Sequence, residues 1–383
     1  MRKISVIYLI DEMRILGGAE KNLLKIMTNI DHNRFRFFLY TFQSGPQMIR
    51  MLKQNNIKCV QIPYPTTLPG LLKFFALCKK IRGQKINILH SYFEGSDIWG
   101  TLLAKLAGIP IIISSKRDMG FSKSKKVLMA YRFINPFVTK IISVSEAVRF
   151  QTHLQEKVNL KKIVTIYNGI DPDKFCNSKH KNIIKTELKL NGSSPIVSLL
   201  SNIRPIKGVE YFIYAASKAI KQFPETQFII VGDCVPGQER LTYYNKLKSL
   251  VKELKLENNL FFVGGRSDIP DVLSAIDISV LSSLSEGFSN TVIESMAAGK
   301  PLVVTDVGGN SEAVIHGKTG FVVPPKNINK LADAISVLLK DKKLAKSMGE
   351  AGRKRAKQLF STEAMINKIE DLYTRSLNSK NYA

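Results

Sequence analysis

Residues 281–325 read LSSLSEGFSNTVIESMAAGKPLVVTDVGGNSEAVIHGKTGFVVPP. This segment predicts the end of a buried strand, a polar loop that contains a glycine, and a short helix over residues 292–298. Asn290 and Thr291 are the candidate N-caps of that helix, and Gly299 followed by Pro301 predicts its end. A strand, a loop and a helix in this order form the repeating unit of an α/β fold.

Two carboxylates flank the predicted helix start, because Glu286 lies in the loop and Glu294 lies within the helix. The free N–H groups and the positive dipole end of a helix N-terminus bind anions, most often phosphate. Carboxylates accept hydrogen bonds from hydroxyls, so the pair predicts a ligand that carries phosphate beside a polyol, namely a nucleotide sugar. The alternative is a strand-loop-helix connection with two solvated glutamates, and the surrounding sequence has to decide between them.

The length and charge of the chain restrict its class and its partners. The 383 residues are enough for two domains with their own cores. The chain has 57 Lys and Arg residues against 31 Asp and Glu residues, and the net charge of +26 predicts an anionic partner: phospholipid, nucleic acid or acidic metabolites. Aromatic platforms interleaved with arginines are not evident, which argues against nucleic acid.

The cysteines and the apolar runs point to the cytosol. The four cysteines lack metal-binding spacing, so neither structural zinc nor a disulfide scaffold is expected. The apolar run at residues 4–10 is too short to span a membrane, as are the later ones, and it predicts a first buried strand. Any membrane contact is therefore expected at the protein surface.

Short β-branched runs alternate with amphipathic segments along the chain. This alternation predicts parallel sheets with helices on both faces. A polar, Lys-rich passage at residues 174–194 interrupts the pattern, which then restarts and so predicts two doubly wound halves. Such sheets bind ligands at the carboxyl ends of their strands, and a site is expected in a cleft between the halves. The predicted strands are 4–10, 37–41, 59–62, 86–90, 110–114, 140–144, 196–200, 227–231, 260–263, 276–281, 302–305 and 320–323.

Candidate residues of the first half follow its predicted strands. Gly17 and Gly18 precede a helical pattern and allow close backbone approach to a phosphate, although a tight turn is the alternative. No dinucleotide-binding or Walker A motif is present. His90 ends a strand, where it could act as acid or base or serve as a structural hydrogen-bonding residue. Three acceptor-side candidates follow the next strand: Lys116, Arg117 and Asp118.

In the second half, Arg204 and Lys207 follow the first strand and are suited to neutralise a diphosphate. A solvated turn is the alternative. The backbone at Gly265 and Arg266, after the third strand, is a candidate contact for a flat base. In the first half, residues 71–82 and 121–132 mix cations with apolar residues, as expected either of helices lying on anionic lipid or of ordinary surface helices.

Several motifs follow one another over nearly the whole chain: GGAEKNLL (17–24), IISVSEAVR (141–149), IYNGID (166–171), FVGGRSD (262–268) and the segment at residues 281–325. Together they resemble the retaining glycosyltransferases of family 4, which have the GT-B fold. The resemblance implies an α/β protein with two Rossmann-like domains facing across a cleft. Residues 1–175 would bind the acceptor and residues 176–360 the nucleotide sugar, and a terminal helix at about 361–383 would cross back to the first domain.

The resemblance also implies residue roles. Glu294 would bind the ribose hydroxyls, and Glu286 would contact the donor sugar. Gly18 would approach the phosphate from the first domain, and the backbone of Gly265 and Arg266 would flank the base. Backbone N–H groups of the loop and helix start would hold the sugar and diphosphate, contributed by Gly287, Phe288, Ser289, Asn290 and Thr291.

Two departures from the family pattern affect these roles. Many members have an arginine five residues before the loop lysine, where this chain has Asn202, and Arg204 lies three residues before Lys207. Many members also have a histidine where this chain has Arg117, and His90 does not simply inherit that role. The D-x-D pattern at residues 171–173 is interpreted as a structural turn, and no essential metal is predicted.

The sequence therefore predicts a retaining transferase that moves a sugar from a nucleoside diphosphate sugar, UDP-linked, to a glycan or lipid-linked glycan in surface polysaccharide or lipopolysaccharide synthesis. The expected partners include an anionic membrane surface and exclude nucleic acid, no cofactor is expected, and the expected location is cytoplasmic and peripheral on the inner membrane face. A nucleotide-sugar epimerase of the GT-B fold and a non-catalytic membrane-associated scaffold are the alternatives. The catalytic candidates are Glu286, Lys207, Arg204 and His90.

Overall fold

The computed structural model describes residues 3–13, 17–121, 123–176, 183–187, 194–234 and 238–381. The chain forms two compact units. The first consists of Met1–Gly169 together with Thr362–Ala383, and the second consists of Ile170–Ser361. Within the described ranges, no helix is long and apolar enough to cross a membrane.

The first unit is built on a parallel sheet of seven strands in the order β3-β2-β1-β4-β5-β6-β7. Its strands are β1 Ile4–Met13, β2 Phe35–Ser44, β3 Cys59–Gln61, β4 Ile88–Tyr92, β5 Ile111–Lys116, β6 Lys140–Ser143 and β7 Ile163–Thr165. The helices between them are α1 Gly18–Asn29, α2 Pro46–Gln54, α3 Leu68–Arg82, α4 Glu94–Ala107, α5 Lys125–Ile134 and α6 Glu146–Glu156.

Helices cover both faces of this sheet, so its central strands are apolar on both sides. On one face Tyr8 of β1 packs in a cluster with Leu23 of α1, and on the other Leu9 packs with Phe74 of α3. Helices α3, α4, α5 and α6 form one layer in which each contacts the next. Ser124 and Ser145 cap α5 and α6, because each hydroxyl accepts a hydrogen bond from a first-turn amide.

The second unit has a parallel sheet of six strands in the order β10-β9-β8-β11-β12-β13. Its strands are β8 Ile196–Leu200, β9 Gln227–Val231, β10 Leu260–Gly264, β11 Ile278–Leu281, β12 Leu302–Thr305 and β13 Gly320–Val323. Its helices are α7 Asp173–Cys176, α8 Ile183–Glu187, α9 Val209–Ala219, α10 Gln238–Glu253, α11 Ile269–Ala275, α12 Asn290–Ala297, α13 Asn310–Ala313, α14 Ile328–Lys340 and α15 Lys342–Leu359.

The last helix, α16 Thr362–Asn381, belongs to the first unit. Its apolar residues, among them Ile369 and Tyr373, are buried in the same cluster as Tyr8. Glu370 also accepts a hydrogen bond of 3.0 Å from Arg34 at the start of β2. The final helix therefore completes one face of the first sheet.

The α/β fold with two doubly wound parallel sheets, predicted from the sequence, is confirmed. The predicted strands agree with the observed ones to within three residues at either end, but β7 was not predicted. The units divide after Gly169 rather than after residue 175, because Ile170 bridges to Ser361 and α7 packs on α11 and α12. The predicted Lys-rich linker lies mostly outside the described residues.

Candidate active site

Residues 281–325 begin at the end of β11 and continue with a loop at the carboxyl end of that strand and with α12. The N-cap of α12 is Ser289, and Asn290 is its first helical residue, so the predicted N-caps Asn290 and Thr291 are wrong by one and two residues. The Ser289 side chain makes no capping hydrogen bond. A helix start that is not capped by a side chain can offer its amides to an anion.

Glu286 and Lys207 form an ion pair in front of this helix. Lys207 Nζ lies 2.6 Å from Glu286 Oε1, and the exposed fractions of the two side chains are only 22% and 10%. The same carboxylate oxygen accepts a hydrogen bond of 2.6 Å from Ser283 Oγ. Two donors therefore fix the Glu286 carboxylate at the carboxyl edge of the second sheet.

The loop that carries Lys207 is joined to the loop that carries Glu286. Leu284 N donates to the Ile206 carbonyl at 2.8 Å, and Ser282 Oγ donates to the Gly208 carbonyl at 2.8 Å. Gly208 has a φ of +57°, and a Cβ there would lie 2.4 Å from the Ser282 carbonyl oxygen. Only glycine allows this approach, which holds the two loops together.

A third loop, between β12 and α13, supports the other side of Glu286. A Cβ on Gly308 would lie 1.6 Å from the Glu286 carbonyl oxygen, and Gly308 has a φ of +53°. Next to it, Gly309 N donates to the Gly287 carbonyl at 3.0 Å. Loops that follow three neighbouring strands, β8, β11 and β12, thus interlock around Glu286.

The remaining candidates of the second unit lie on the same carboxyl edge. Glu294 is half-buried on α12, and Arg204 is exposed before the short 3-10 turn that ends at Lys207. Gly265 N donates to Asp233 Oδ1 at 2.6 Å, which links the loops after β9 and β10. The Arg266 guanidinium pairs with Asp268 and Glu187, and these bonds raise its pKa above the ordinary value.

Two family models match the chain. "Glycosyltransferase Family 4" matches residues 16–174, and "Glycosyl transferases group 1" matches residues 180–355. The chain belongs to glycosyltransferase family 4. The sequence-based prediction of a glycosyltransferase is thereby confirmed.

Similar proteins agree with this assignment of family and fold. A galactosyltransferase of Escherichia coli, UDP-Gal:alpha-D-GlcNAc-diphosphoundecaprenol alpha-1,3-galactosyltransferase, is 27% identical over an alignment of 375 residues that covers 94% of each chain. A Campylobacter jejuni N-acetylgalactosaminyltransferase, named for a diphospho-undecaprenol acceptor, is 29% identical over an alignment of 327 residues that covers 81% of this chain and 82% of that one. The crystal structure of Anabaena HepE in complex with UDP has a TM-score of 0.88, 23% identity, and 97% and 100% coverage. The predicted GT-B fold is confirmed.

His90 lies in the interior of the first unit. It is fully buried on β4, Nδ1 lies 2.6 Å from Tyr373 Oη, and Nε2 lies 2.8 Å from Ser115 Oγ. Burial lowers the pKa of the imidazole to about 3, and the nearby charge of Arg117 acts in the same direction. Both ring nitrogens are engaged, so the structural role fits His90 and the catalytic assignment has no support from its surroundings.

Lys116 is likewise unsuited to its predicted role as an acceptor contact. Its ammonium lies 2.9 Å from Asp97 and 3.1 Å from Glu156, and 3.5 Å from the centre of the Tyr131 ring. Lys123 also pairs with Glu156, at 2.8 Å. These buried charges hold β5, α4, α5 and α6 together, so the assignment of Lys116 to the acceptor side is corrected to a structural one.

Arg117, Asp118 and Gly18 lie at the carboxyl edge of the first sheet. Arg117 Nη2 donates to Asn168 Oδ1 at 2.6 Å, and Asn22 of α1 donates to the same oxygen at 3.3 Å. Asp118 is exposed and accepts a hydrogen bond from Gly120 N. Gly18 is the exposed first residue of α1. Two motifs of the family resemblance, residues 17–24 and 166–171, therefore meet beside Arg117.

Sequence reasoning overlooked Ser283, the hydroxyl that holds Glu286. Its signal was the S-x-x-E spacing directly after a buried strand, where the carboxyl end of the strand places side chains in a ligand site. The D-x-D pattern forms a local turn in the structure, because Asp171 Oδ1 accepts a hydrogen bond of 3.3 Å from Asp173 N. Lys174 lies 3.8 Å from the Asp171 carboxylate.

Proposed function

We propose that this enzyme transfers a sugar from a UDP-sugar to a lipid-linked glycan, with retention of the anomeric configuration, in the synthesis of a cell-surface polysaccharide. The names of the Escherichia coli and Campylobacter jejuni relatives, which specify diphosphoundecaprenol-linked acceptors, support the acceptor class. Complexes of the similarly folded HepE with UDP and with UDP-glucose support the donor class. Membership of family 4 supports retention.

The observation that carries the donor assignment is the position of Lys207 and Glu286 before the N-terminus of α12. Sugar transfer leaves a diphosphate that gains negative charge as the glycosidic bond breaks. A lysine and the dipole of a helix start, both already in place, stabilise that charge without reorganisation. Arg204 would add a second cation, Glu286 would contact the sugar, and Glu294 would bind the ribose.

Product analysis tests the proposed reaction. The full-length enzyme would be incubated with a panel of UDP-, GDP- and ADP-sugars and a membrane lipid extract, and products identified by mass spectrometry. We expect a new glycolipid with the UDP-sugar, and NMR of its anomeric proton should show the configuration of the donor. Isomerisation of UDP-sugar without any acceptor would instead identify an epimerase.

Removal of the Lys207 ammonium is expected to reduce turnover more than roughly tenfold, because the leaving diphosphate loses a preorganised cation. The measurement is kcat for Lys207→Ala with saturating donor. Lys218→Ala, an exposed lysine on α9 of the same unit, is the matched control and should keep the wild-type rate. Near-normal turnover of Lys207→Ala would exclude this lysine from the phosphate site.

We also propose that no metal ion is essential. Asp171 and Asp173, which match the D-x-D pattern, bond within their own turn, and Lys174 lies beside them. Treatment with EDTA is therefore expected to leave the transfer rate unchanged within about twofold, a small change on the scale of catalytic effects. Loss of activity that Mn²⁺ restores would contradict this proposal.

The proposed acceptor sets the proposed location, which is the cytoplasmic face of the cell membrane, with the protein bound peripherally. The net charge of +26 would favour contact with anionic lipid. In the first unit, Arg117 and the exposed Asp118 remain the proposed acceptor-side residues. Nucleic acid is not a proposed partner.

A further inference from the structure

A cleft lies beside β2 of the first unit, at the amino-terminal half of its sheet. Its volume is about 550 Å³, which is in the range of ligand-binding pockets. Lys3, directly before β1, and residues 35–40 of β2 are among its lining. The candidate residues Arg117 and Asp118 lie at the carboxyl edge of the same sheet, so the cleft is separate from them.

The cleft exposes an unpaired edge of β2. This strand pairs with β1 from Phe35 to Ser44, but it pairs with β3 only from Leu39 to Thr41. Residues 35–38 therefore have a neighbouring strand on one side only. An open strand edge of this kind is a template for pairing with another extended chain.

The backbone of Phe37 faces the open side. Ile4 N donates to the Arg34 carbonyl at 2.8 Å, so the carbonyl of residue 34 points towards β1. Ile62 N donates to the Thr41 carbonyl at 2.9 Å, so the carbonyl of residue 41 points towards β3. Backbone groups of successive residues point alternately to the two neighbours of a strand. Phe37 is an odd-numbered position like Thr41, and its N–H and C=O groups therefore point into the cleft.

Positive charge surrounds this edge. The cleft is lined by four exposed cations, Lys3, Arg36, Lys58 and Lys80, and no acidic residue is among the described residues that line it. The sequence around them has the same bias, because residues 32–93 contain ten lysines and arginines and no aspartate or glutamate. A partner therefore has to supply the negative charge.

The two faces of β2 differ along the open edge. Phe38 packs with the apolar cluster on the α3 side of the sheet, and Phe37 packs with the cluster on the other side. Arg36 shares the face of Phe38, since side chains alternate along a strand, and its guanidinium lies 4.7 Å from the centre of that ring. Lys80 of α3 lines the cleft on this face. One side of the edge is thus cationic and the other is apolar.

We infer that the open edge of β2 binds an extended, acidic segment of a partner protein as an added strand. Its acidic side chains lie towards Arg36 and Lys80, and its alternate, apolar side chains lie beside Phe37. Four residues of β2 offer about 13 Å of edge, which is enough for a short segment. A sequence that alternates acidic and apolar residues satisfies both faces of the strand.

Other occupants satisfy only part of the cleft. A phosphate or a nucleotide would use the cations but not the backbone groups of Phe37. A second copy of this chain carries the same net charge of +26 and would be repelled. Cations along a strand edge do oppose pairing with neutral or basic strands, but they attract an acidic one. The inference is independent of the proposed function, because the added strand leaves the carboxyl edge of the sheet free.

A labelled peptide of alternating glutamate and valine tests the inference on the full chain. Fluorescence anisotropy should show saturable binding that weakens at high salt. Two further peptides carry N-methyl groups, one on every glutamate amide and the other on every valine amide. Only one of these two sets of amides faces β2 in an added strand, so one peptide should bind at least about tenfold more weakly and the other like the unmodified peptide. Hydrogen exchange at the Phe37 amide should slow when the unmodified peptide is bound.

Variants of the chain locate the bound peptide. Arg36→Gln/Lys58→Gln should bind it about fivefold more weakly, since each exposed charge pair contributes modestly. Lys125→Gln/Lys126→Gln is the matched control, because it removes the same charge from exposed positions on α5 of the same unit, and it should bind like the wild type. The inference is overturned by absence of binding, by equal binding of the three peptides, or by equal losses in the two variants. Displacement of the peptide by UDP or by inorganic phosphate at the same concentration would also overturn it, because the peptide would then occupy the active site or a simple anion site.

Discussion

Glu286→Gln is expected to bind UDP more tightly than the wild type, by about tenfold, while it transfers sugar about a hundredfold more slowly. In the free enzyme, Lys207 is paired with Glu286 at 2.6 Å. A diphosphate that takes up this lysine must compete with the carboxylate and approach its negative charge. The glutamine keeps the shape but removes the charge, so UDP binds better, whereas the contact to the reacting sugar is lost. Isothermal titration with UDP and kcat at saturating donor measure the two effects.

A double-mutant cycle identifies the origin of the gain in UDP affinity. If the carboxylate acts through Lys207, then Glu286→Gln should give little gain in a Lys207→Ala background. Ser283→Ala is the milder companion variant, because it keeps both charges and removes only the 2.6 Å hydrogen bond to Glu286 Oε1. It should change UDP affinity less than Glu286→Gln does. Weaker UDP binding by Glu286→Gln would show that the ion pair supports the nucleotide site and does not compete with it.

The sequence revealed the sheets because their physics is local. Buried parallel strands need continuous apolar runs, and segments such as residues 196–200 and 302–305 show them without interruption. Lys207 and Glu286 could also be identified from the sequence, because each follows such a strand and the carboxyl ends of parallel strands converge. The three-residue β7, which pairs with β6, was overlooked although it begins with the β-branched pair Ile163 and Val164.

The site predictions that gain no support from the structure concern side chains whose environment is set by distant parts of the chain. His90 looked like an acid or base at a strand end, but Tyr373, from the last helix, covers it. Lys116 looked like a surface cation after β5, but Glu156 and Tyr131 enclose it from two other helices. Such partners lie tens to hundreds of residues away and leave no mark near the residue itself.

Glu156→Gln is expected to lower the free energy of unfolding of the first unit by about 3–5 kcal/mol. Glu156 is fully enclosed and pairs with Lys116 and Lys123, and its replacement leaves two buried ammonium groups with one carboxylate, Asp97. Urea unfolding can be followed through the single tryptophan, Trp99, which lies on α4 two residues from Asp97. Adding Lys123→Met should recover part of the loss, because Lys116 then keeps Asp97 as its partner.

Glu146→Gln on the same helix is the matched control. Glu146 is half-exposed and pairs with Arg149 at 2.9 Å, so its loss should cost less than about 1 kcal/mol.

The effect of Glu156 on stability should also depend on pH. Burial raises its pKa, but the charges of Lys116 and Lys123 outweigh burial and keep the pKa below the ordinary value. Its stabilisation is therefore present above the unfolded pKa of about 4.3 and is lost as the pH falls through the folded value. The difference between wild type and Glu156→Gln should shrink below about pH 4, and a constant difference down to pH 3 would show that packing, and not charge, makes Glu156 essential.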